Sequence, residues 1–370
     1  SRICALFIKL DMREPFSFEV YHKYISLISA GALTKLMVAI NRVAIEEGLE
    51  DAKRVRIDTS VVESDIHYPT NNSLVWDCIK ESQRLLSKLD GVAKDLKLLD
   101  YTKQAKSNYY QINVTKSVEK RQPIFEKQLK ILRRSIKQTQ RVLEKLTKEE
   151  AASKPESKPE STKLREQIEK LLPLMEKVHS MTKRRELDGE VVPNAEKIFS
   201  IYEEHTDVIV KGGREAQFGH KINISGGTSG LILGCEILKG NPSDSTLYQP
   251  ALEELRRNYG VQIRDVATDG GFASLENLRF AQGDGIINIV FNKIVGSLRN
   301  ITTSKSLETR LKKWRSGIEA MISNLKRGFD LFRSDWKSKG RFDAKVMWSV
   351  IAYNIRVMTR LCLTKLSPVA

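Results

Sequence analysis

A long stretch of helical periodicity, set inside a chain of otherwise α/β character, constrains the fold more than any other sequence feature. From about Leu74 to Arg185 glycine is nearly absent, and Lys, Glu, Gln and Leu dominate. Apolar residues recur at heptad spacing over residues 129–146 and again over 164–178. Residues 149–161 between them contain two prolines and no apolar side chain larger than alanine, which predicts a solvated turn. The pattern therefore predicts an antiparallel coiled coil.

The segments on either side of this stretch predict one mixed sheet covered by helices. A β-branched run at residues 55–62 has no helical period and predicts the first strand, so the helical segment lies between the first and second strands. The remaining strands are predicted at residues 208–210, 218–224, 231–238, 263–269 and 286–291, and the helices at 16–48 (two, meeting around Gly31), 247–259, 275–281, 307–329 and 344–363.

These elements divide the sequence into five parts. They are an N-terminal helical region (1–50), the first part of the sheet domain (51–72), the helical insertion (73–204), the second part of the sheet domain (205–335) and a C-terminal helix (336–370).

Composition narrows the class of partner. The chain has 62 Lys and Arg against 46 Asp and Glu, a formal charge of +16, which predicts a polyanionic partner. Its four cysteines form no C-x-x-C pair, which excludes a zinc ribbon and gives no sign of a disulfide framework. No window resembles a membrane span, so we expect a soluble, intracellular protein without a membrane partner.

Three acidic residues are candidates for a common site. Asp58 lies inside the first strand, where an unpaired carboxylate is costly unless a cation meets it. Asp269 closes a strand before two glycines, although a turn or cap role is the common alternative there. Glu319 lies among apolar helix positions, where pairing with Arg315 one turn earlier is the simpler interpretation. Three carboxylates together suit the two divalent ions that in-line phosphodiester chemistry requires.

Several motifs in order make the sequence resemble the DDE transposases of bacterial insertion sequences, most closely the ISNCY-like group. The resemblance extends from about residue 50 to the end, apart from the helical arms. The matching stretches are Arg56–Thr70, Phe218-Gly-His-Lys221, Gly240-Asn-Pro-Ser-Asp244, Ala267-Thr-Asp-Gly-Gly-Phe272, and Arg315-Ser-Gly-Ile-Glu319 followed by Lys326.

The resemblance implies a ribonuclease H-like fold and a set of catalytic residues. Asp58, Asp269 and Glu319 correspond to the family's catalytic, metal-binding acids, which hold two Mg²⁺ or Mn²⁺ ions. Arg315, Glu319 and Lys326 match the family's Tyr, Arg, Glu, Lys signature, whose tyrosine position holds Lys312 here. Three further acids, Glu63, Asp65 and Asp265, are rivals that only the motif match sets aside.

The resemblance also implies residues that contact DNA or line the site. Some of these residues also have a simpler interpretation. Lys221 could be an ordinary surface lysine, Phe272 a buried aromatic of the core, and His67 and Tyr68 part of a structural turn. The predicted phosphate contacts are Arg315, Lys326, Lys221 and Arg327, and the predicted lining residues are His67, Tyr68, Gly270, Gly271 and Phe272.

The implied function is DNA transposition, with metal-dependent cleavage at the element ends and strand transfer into target DNA. The implied partners are double-stranded DNA with terminal inverted repeats, target DNA and a second copy of the chain, in a cytoplasmic, nucleoid-associated setting. Residues 1–50 are expected to recognise the DNA ends or to pack beneath the sheet, and the arms to act as a clamp or a DNA-contacting prong. Two alternatives stay open: an inactive or truncated transposase-derived DNA-binding protein, and a metal-dependent nuclease without strand transfer.

Overall fold

The computed structural model describes residues 17–90, 97–152, 159–210, 212, 215–294 and 296–366. It divides into a sheet unit, Ser1–Asp65 with Asp207–Ala370, and a helical unit, Ile66–Thr206. Residues 1–16 and 367–370 of the predicted terminal parts, and residues 153–158 of the predicted turn, lie outside the described residues.

The elements have the following bounds. The helices are α1 Phe18–Ile25, α2 Ala30–Glu46, α3 Asn71–Asp90, α4 Thr102–Val114, α5 Val118–Ala152, α6 Pro159–Glu186, α7 Tyr248–Tyr259, α8 Leu275–Gly283, α9 Lys305–Arg315, α10 Gly317–Gly328 and α11 Lys339–Leu366. The strands are β1 Arg54–Ser64, β2 Asp207–Ile209, β3 Gln217–Gly226, β4 Ile232–Ile237, β5 Asp265–Asp269, β6 Asn288–Asn292 and β7 Arg333–Ser334.

Strand β1 is the centre of a mixed sheet. On one side it pairs antiparallel with β3, which pairs in turn with β2 near its start and with β4 near its end. On the other side it pairs parallel with β5, and β5 pairs parallel with β6. The mixed α/β architecture predicted from the sequence is confirmed. Because helices cover both faces, most of β1 is buried, as expected of a central strand.

Each face of the sheet packs against its own set of helices. Val55 and Ile57 of β1 point into a core that includes buried residues of α7 and α8. Val62, on the opposite face, belongs to a core shared with α2, α10 and α11. Strand side chains alternate between faces, so Asp58 shares the second face with Val62, on the side where α10 packs. This alternation decides which helices meet the first candidate acid.

Gly219 of β3 marks a close approach to β1. The two strands pair at this point, with Glu63 opposite Gly219. A Cβ atom at Gly219 would overlap with the carbonyl oxygen of Val62. Glycine is therefore needed here because the backbones pass too closely for any side chain.

The helical unit has a hydrophobic core of its own. Helices α5 and α6 pack on one another and on α3, while α4 packs on α3 and α5. Buried apolar residues from Leu74 to Ile201 form one cluster. Two buried hydroxyls, Ser82 and Ser135, are joined by a 2.7 Å hydrogen bond, which satisfies polar groups inside the core. The coiled-coil pairing of α5 with α6 stays a prediction.

Two helix boundaries differ from the sequence prediction. The helix predicted over 307–329 is two helices, since α9 ends at Arg315 and α10 begins at Gly317. The N-terminal helices separate at residues 26–29 rather than around Gly31, because the Ser29 hydroxyl accepts a hydrogen bond from the Ala32 amide and caps α2.

One observation bears on membranes. Among the described residues, no single helix has the length and apolar composition to cross a bilayer, while α1 and α2 pass that test only as a pair bent by 89°.

Candidate active site

The first two candidate acids lie side by side on neighbouring parallel strands. Ile57 of β1 pairs with Thr268 of β5, which places Asp58 and Asp269 next along their strands. Asp269 is the last residue of β5, and its side chain is 44% exposed, while that of Asp58 is 16% exposed. Because the strands are parallel, the two carboxylates meet at the same edge of the pairing.

The guanidinium of Arg315 joins all three acids. Its Nη2 atom lies 2.8 Å from Asp58 Oδ2 and 3.7 Å from Asp269 Oδ2. Its Nη1 atom donates to Glu319 Oε1 over 2.7 Å. The Arg315 side chain is only 6% exposed, whereas that of Glu319 is 64% exposed. The three candidate acids, distant in sequence, therefore converge around one buried cation.

The break between α9 and α10 positions two of these groups. Arg315 is the last residue of α9, and Glu319 lies in the first turn of α10, where its amide donates to the Ser316 carbonyl over 3.0 Å. Their four-residue spacing keeps them one turn apart across the break. Arg315 thereby reaches the strands while Glu319 stays at the solvent side.

Arg56 holds the corner between α9 and α10 in place. Its Nη1 donates to the Trp314 carbonyl over 2.8 Å, and its guanidinium lies 4.8 Å from the centre of the Trp314 ring. Burial lowers the pKa of the Arg56 side chain. A Cβ atom at Gly317 would overlap with the Arg56 guanidinium. No role is predicted for Arg56 from the sequence, where its signal is a cation within a strand, two residues before Asp58.

A second polar group lies on the other face of β1. Thr59 donates to Asp244 Oδ1 over 3.0 Å, and Lys221 Nζ lies 2.6 Å from the same oxygen. The Lys221 ammonium also donates to the Pro242 carbonyl over 2.6 Å, and its side chain is 4% exposed. The structure thus places Lys221 in a buried pair with Asp244, an acid for which the sequence predicts no individual role. Its predicted phosphate contact stays a prediction.

The residues after Asp269 are tightly packed. A Cβ atom at Gly270 would overlap with backbone oxygens of Asn292 and Lys293, and one at Gly271 would press on the Asp244 carboxylate. Phe272 is fully buried in the core beneath α7 and α8. These three residues are needed for packing in this structure, which agrees with the alternative interpretation of Phe272.

Two of the predicted DNA contacts lie on the second half of α10. Lys326 is half-buried, with its ammonium 5.4 Å from the centre of the Phe332 ring. Burial lowers the pKa of Lys326, and the charge of Glu63 opposes that effect. Arg327 is exposed. Both residues keep their predicted role as a prediction.

His67 and Tyr68 belong to the helical unit. His67 Nε2 lies 3.3 Å from Asp77 Oδ2, and Tyr68 is 72% exposed. Their predicted role in lining the site stays a prediction.

The rival acids have other partners. Asp265 is 1% exposed and lies within hydrogen-bonding distance of Arg54 and Arg264, at 3.0 and 2.8 Å. Burial raises the pKa of Asp265, but hydrogen bonds from Arg264, Asn288 and Arg54 outweigh it and hold the pKa below its usual value. Glu63 pairs with Arg333 at 2.9 Å, and Asp65 is exposed. Asp265 and Glu63 are therefore occupied by ion pairs.

Residues 199–355 match the family model described as the transposase DDE domain. The match covers less than half of the chain, and over those residues the chain is similar to that domain. The matched residues include Asp269, Arg315 and Glu319. Asp58 precedes them in the chain and lies beside Asp269 because β1 pairs with β5. A comparison with curated protein sequences finds no match.

DDE transposases generally use divalent metal ions, and the chemistry of this site suits them. Carboxylate oxygens are the hard donors that Mg²⁺ and Mn²⁺ prefer, and Asp58, Asp269 and Glu319 already gather around one positive charge. Within the described part of the chain, no group of three or more His, Cys, Asp or Glu residues is placed to hold a metal ion as it stands. The carboxylate oxygens are therefore the right type of ligand for these ions, and in this structure the Arg315 guanidinium is the cation that holds the three acids together.

Proposed function

We propose that this chain is a transposase that cleaves DNA strands at the ends of an element and joins the freed 3′-hydroxyl to target DNA. The observation that carries the proposal is the convergence of Asp58, Asp269 and Glu319, from two strands and a helix, around Arg315. The family match over residues 199–355 supports the same reaction class.

The sheet supports a ribonuclease H-like assignment. An antiparallel pair, β3 with β1, is followed by the parallel strands β5 and β6. The first two acids lie on the parallel pair at the centre of this order, and the third lies on a covering helix. In this proposal the helical unit is an insertion between β1 and β2, with α5 and α6 as its coiled-coil arms.

The roles of the residues follow from their positions. Asp58, Asp269 and Glu319 would hold two Mg²⁺ or Mn²⁺ ions, which supply activation of the attacking oxygen and charge stabilisation of the leaving oxygen. The rigid strands fix Asp58, whose Oδ1 atom also accepts from the Thr59 amide over 2.8 Å. Arg315 reduces the repulsion among the carboxylates, and Arg56 fixes the helix corner that carries Arg315.

The partners follow from the reaction. A formal charge of +16 supports binding to DNA, whose phosphates attract Lys and Arg through counterion release. Cutting both ends of one element together requires two active sites, so we infer a homodimer on DNA with terminal inverted repeats. The proposed setting is the bacterial nucleoid.

The test uses a duplex that carries the DNA flanking the coding sequence of the chain, with Mg²⁺ or Mn²⁺. We expect nicking and strand transfer by the native protein, and loss of both by more than about a thousandfold in Asp269→Asn, because the amide lacks the negative charge and one of the two oxygens that would bind the metal. DNA affinity should stay within about twofold, since Lys and Arg supply it. Asp335→Asn, at an exposed acid of the same unit, is the matched control.

One observation favours a second candidate, a transposase-derived protein that binds DNA without cutting it. All three acids are engaged by Arg315 in the structure. Binding without nicking at millimolar Mn²⁺ would select this candidate. Nicking without strand transfer would select a metal-dependent nuclease, the remaining alternative.

A further inference from the structure

One face of α5 carries a continuous row of basic side chains. We call it the α5 basic stripe. Its members are Lys127, Lys130, Arg134, Lys137 and Arg141, all of them exposed. Their spacing alternates between three and four residues, which keeps all five on one side of an α-helix. The stripe extends over roughly 21 Å at 1.5 Å per residue.

The stripe lies on the side of α5 that faces away from the core of the helical unit. The buried residues of α5, such as Leu132, Thr139 and Val142, occupy the opposite side of the helix. The stripe is therefore a solvent-facing ridge on a helix whose other side is fixed by packing. Such a ridge holds five positive charges at nearly constant spacing.

No acidic residue lies in the segment of α5 that carries the stripe. Residues 127–143 contain no Asp or Glu, and Glu126 and Glu144 lie just beyond the two ends. The ion pair at the start, Lys130 with Glu126, is 3.9 Å long and highly exposed, so it is weak.

Helix α6 in the same unit provides an internal comparison. Its exposed residues mix both signs, with Glu166, Glu169 and Glu176 among Lys163, Lys170 and Lys177. A mixed face is what a solvated helix needs for solubility. The single-sign face of α5 is therefore a feature of that helix, and the composition of the unit as a whole does not account for it.

We propose that the α5 basic stripe docks along the phosphate backbone of duplex DNA, an inference that rests on the proposed function for the choice of DNA as the partner. Duplex DNA carries about one negative charge per 1.7 Å of its axis, so a ridge of roughly 21 Å meets a long row of phosphates. Exposed Lys and Arg side chains contact phosphate irrespective of base sequence. The stripe supplies non-specific affinity and orientation.

The test compares two full-length triple variants with the same net charge. Lys130→Gln, Arg134→Gln and Lys137→Gln neutralise the centre of the stripe; Lys163→Gln, Lys170→Gln and Lys177→Gln neutralise the exposed side of α6. Binding to a 40-base-pair duplex is measured without divalent metal at several NaCl concentrations. We expect the stripe variant to lose at least about tenfold in affinity and its salt slope to fall by about 2 to 3, while the α6 variant changes less than about threefold.

Equal effects of the two variants would overturn the proposal, since net charge alone would then explain binding, and so would no effect of either. Retained duplex-DNA binding with loss of RNA or anionic-vesicle binding would also overturn it. Circular dichroism establishes that both variants are folded, and a Lys130→Arg, Lys137→Arg variant should keep native affinity. Binding is measured without metal, so the two proposals can fail separately. Native protein that binds DNA but fails to nick it when metal is added would contradict the proposed function without contradicting DNA binding by the stripe.

Discussion

At the scale of single residues, Arg315 has the most informative position. The sequence predicts Arg315 as a phosphate contact and allows a pair with Glu319 at four-residue spacing. The structure contains that pair and adds Asp58 and Asp269, which only strand pairing brings within reach. A buried guanidinium among three carboxylates compensates charges that would otherwise repel one another.

Arg315→Gln should lower the stability of the metal-free protein and increase the stabilisation that added metal provides. We expect the free energy of unfolding to fall by about 2 kcal/mol without divalent ions, because three acids lose their shared cation. Millimolar Mn²⁺ should then raise the melting temperature of the variant more than that of the native protein, since a competing positive charge is gone. Thermal unfolding with and without Mn²⁺ measures both. Arg333→Gln, which breaks the exposed pair with Glu63, is the control, and an unchanged Mn²⁺ response in Arg315→Gln would refute this account.

Asp265 should make the free energy of unfolding fall as the solution becomes acidic. Its pKa is lower in the folded protein than in the unfolded chain, so its contribution is complete above the unfolded value and is lost as pH falls through the folded value. We expect Asp265→Asn to lower the free energy of unfolding by about 3 kcal/mol at pH 7 and to flatten its dependence on pH below about 4. Denaturant titrations at pH 7 and pH 3 test this. A parallel pH dependence of the two proteins would contradict it.

At the scale of elements, the corner between α9 and α10 connects packing to the site. Periodicity alone predicts one helix over residues 307–329, because both halves follow the same pattern. The break depends on Arg56, a residue of β1 that bonds to the Trp314 carbonyl and lies against Gly317. The local periodicity of residues 307–329 cannot show this contact, because Arg56 and Trp314 are 258 residues apart in the chain.

Gly317→Ala should therefore impair cleavage through the corner. The added methyl group would displace the Arg56 guanidinium from its bond to Trp314, at a cost of about 1–3 kcal/mol in stability. We expect nicking to fall at least about tenfold while DNA affinity is retained. Gly340→Ala in α11, where a Cβ atom would meet nothing within 4 Å, is the control. Native nicking rates in both variants would show that the corner does not position the acids.

The positions of the strands along the chain were predictable in part, and the register of their pairing was not. The β-branched run around Asp58 and the strand before Gly270 identify β1 and β5, and motif order selects their acids. Adjacency of Asp58 and Asp269 depends on the parallel pairing of Ile57 with Thr268, which forms between segments far apart in the chain. Lys221 shows the same limit, because its burial against Asp244 follows from the path of the loop after β4.

At the scale of the whole molecule, the division of the buried apolar clusters between two compact units predicts two cooperative units. The helical unit contains one cluster of buried apolar residues, and the sheet unit contains the others. Local opening follows such clusters, because each buries its own apolar surface. Stability is therefore expected to respond to a core substitution mainly in the unit that holds it.

Ile168→Ala and Leu252→Ala provide a matched pair for this prediction. Both side chains are fully buried, the first in the helical unit and the second in the sheet unit. Each substitution should cost about 2–5 kcal/mol and speed amide hydrogen exchange within its own unit. Exchange mass spectrometry of β1 and β5 peptides against α5 and α6 peptides distinguishes the units. Equal acceleration in both units would indicate a single cooperative structure.

The position of the helical unit within the chain sets the order in which a ribosome makes the parts of the site. Asp58 is translated before the whole helical unit, and Asp269 and Glu319 are translated after it. The helical unit is thus complete while two of the three acids have yet to be made. A nascent chain therefore lacks two of the three acids of the proposed active site until Glu319 has been added, and a premature stop codon after residue 206 would leave the helices and their basic stripe without Asp269 and Glu319.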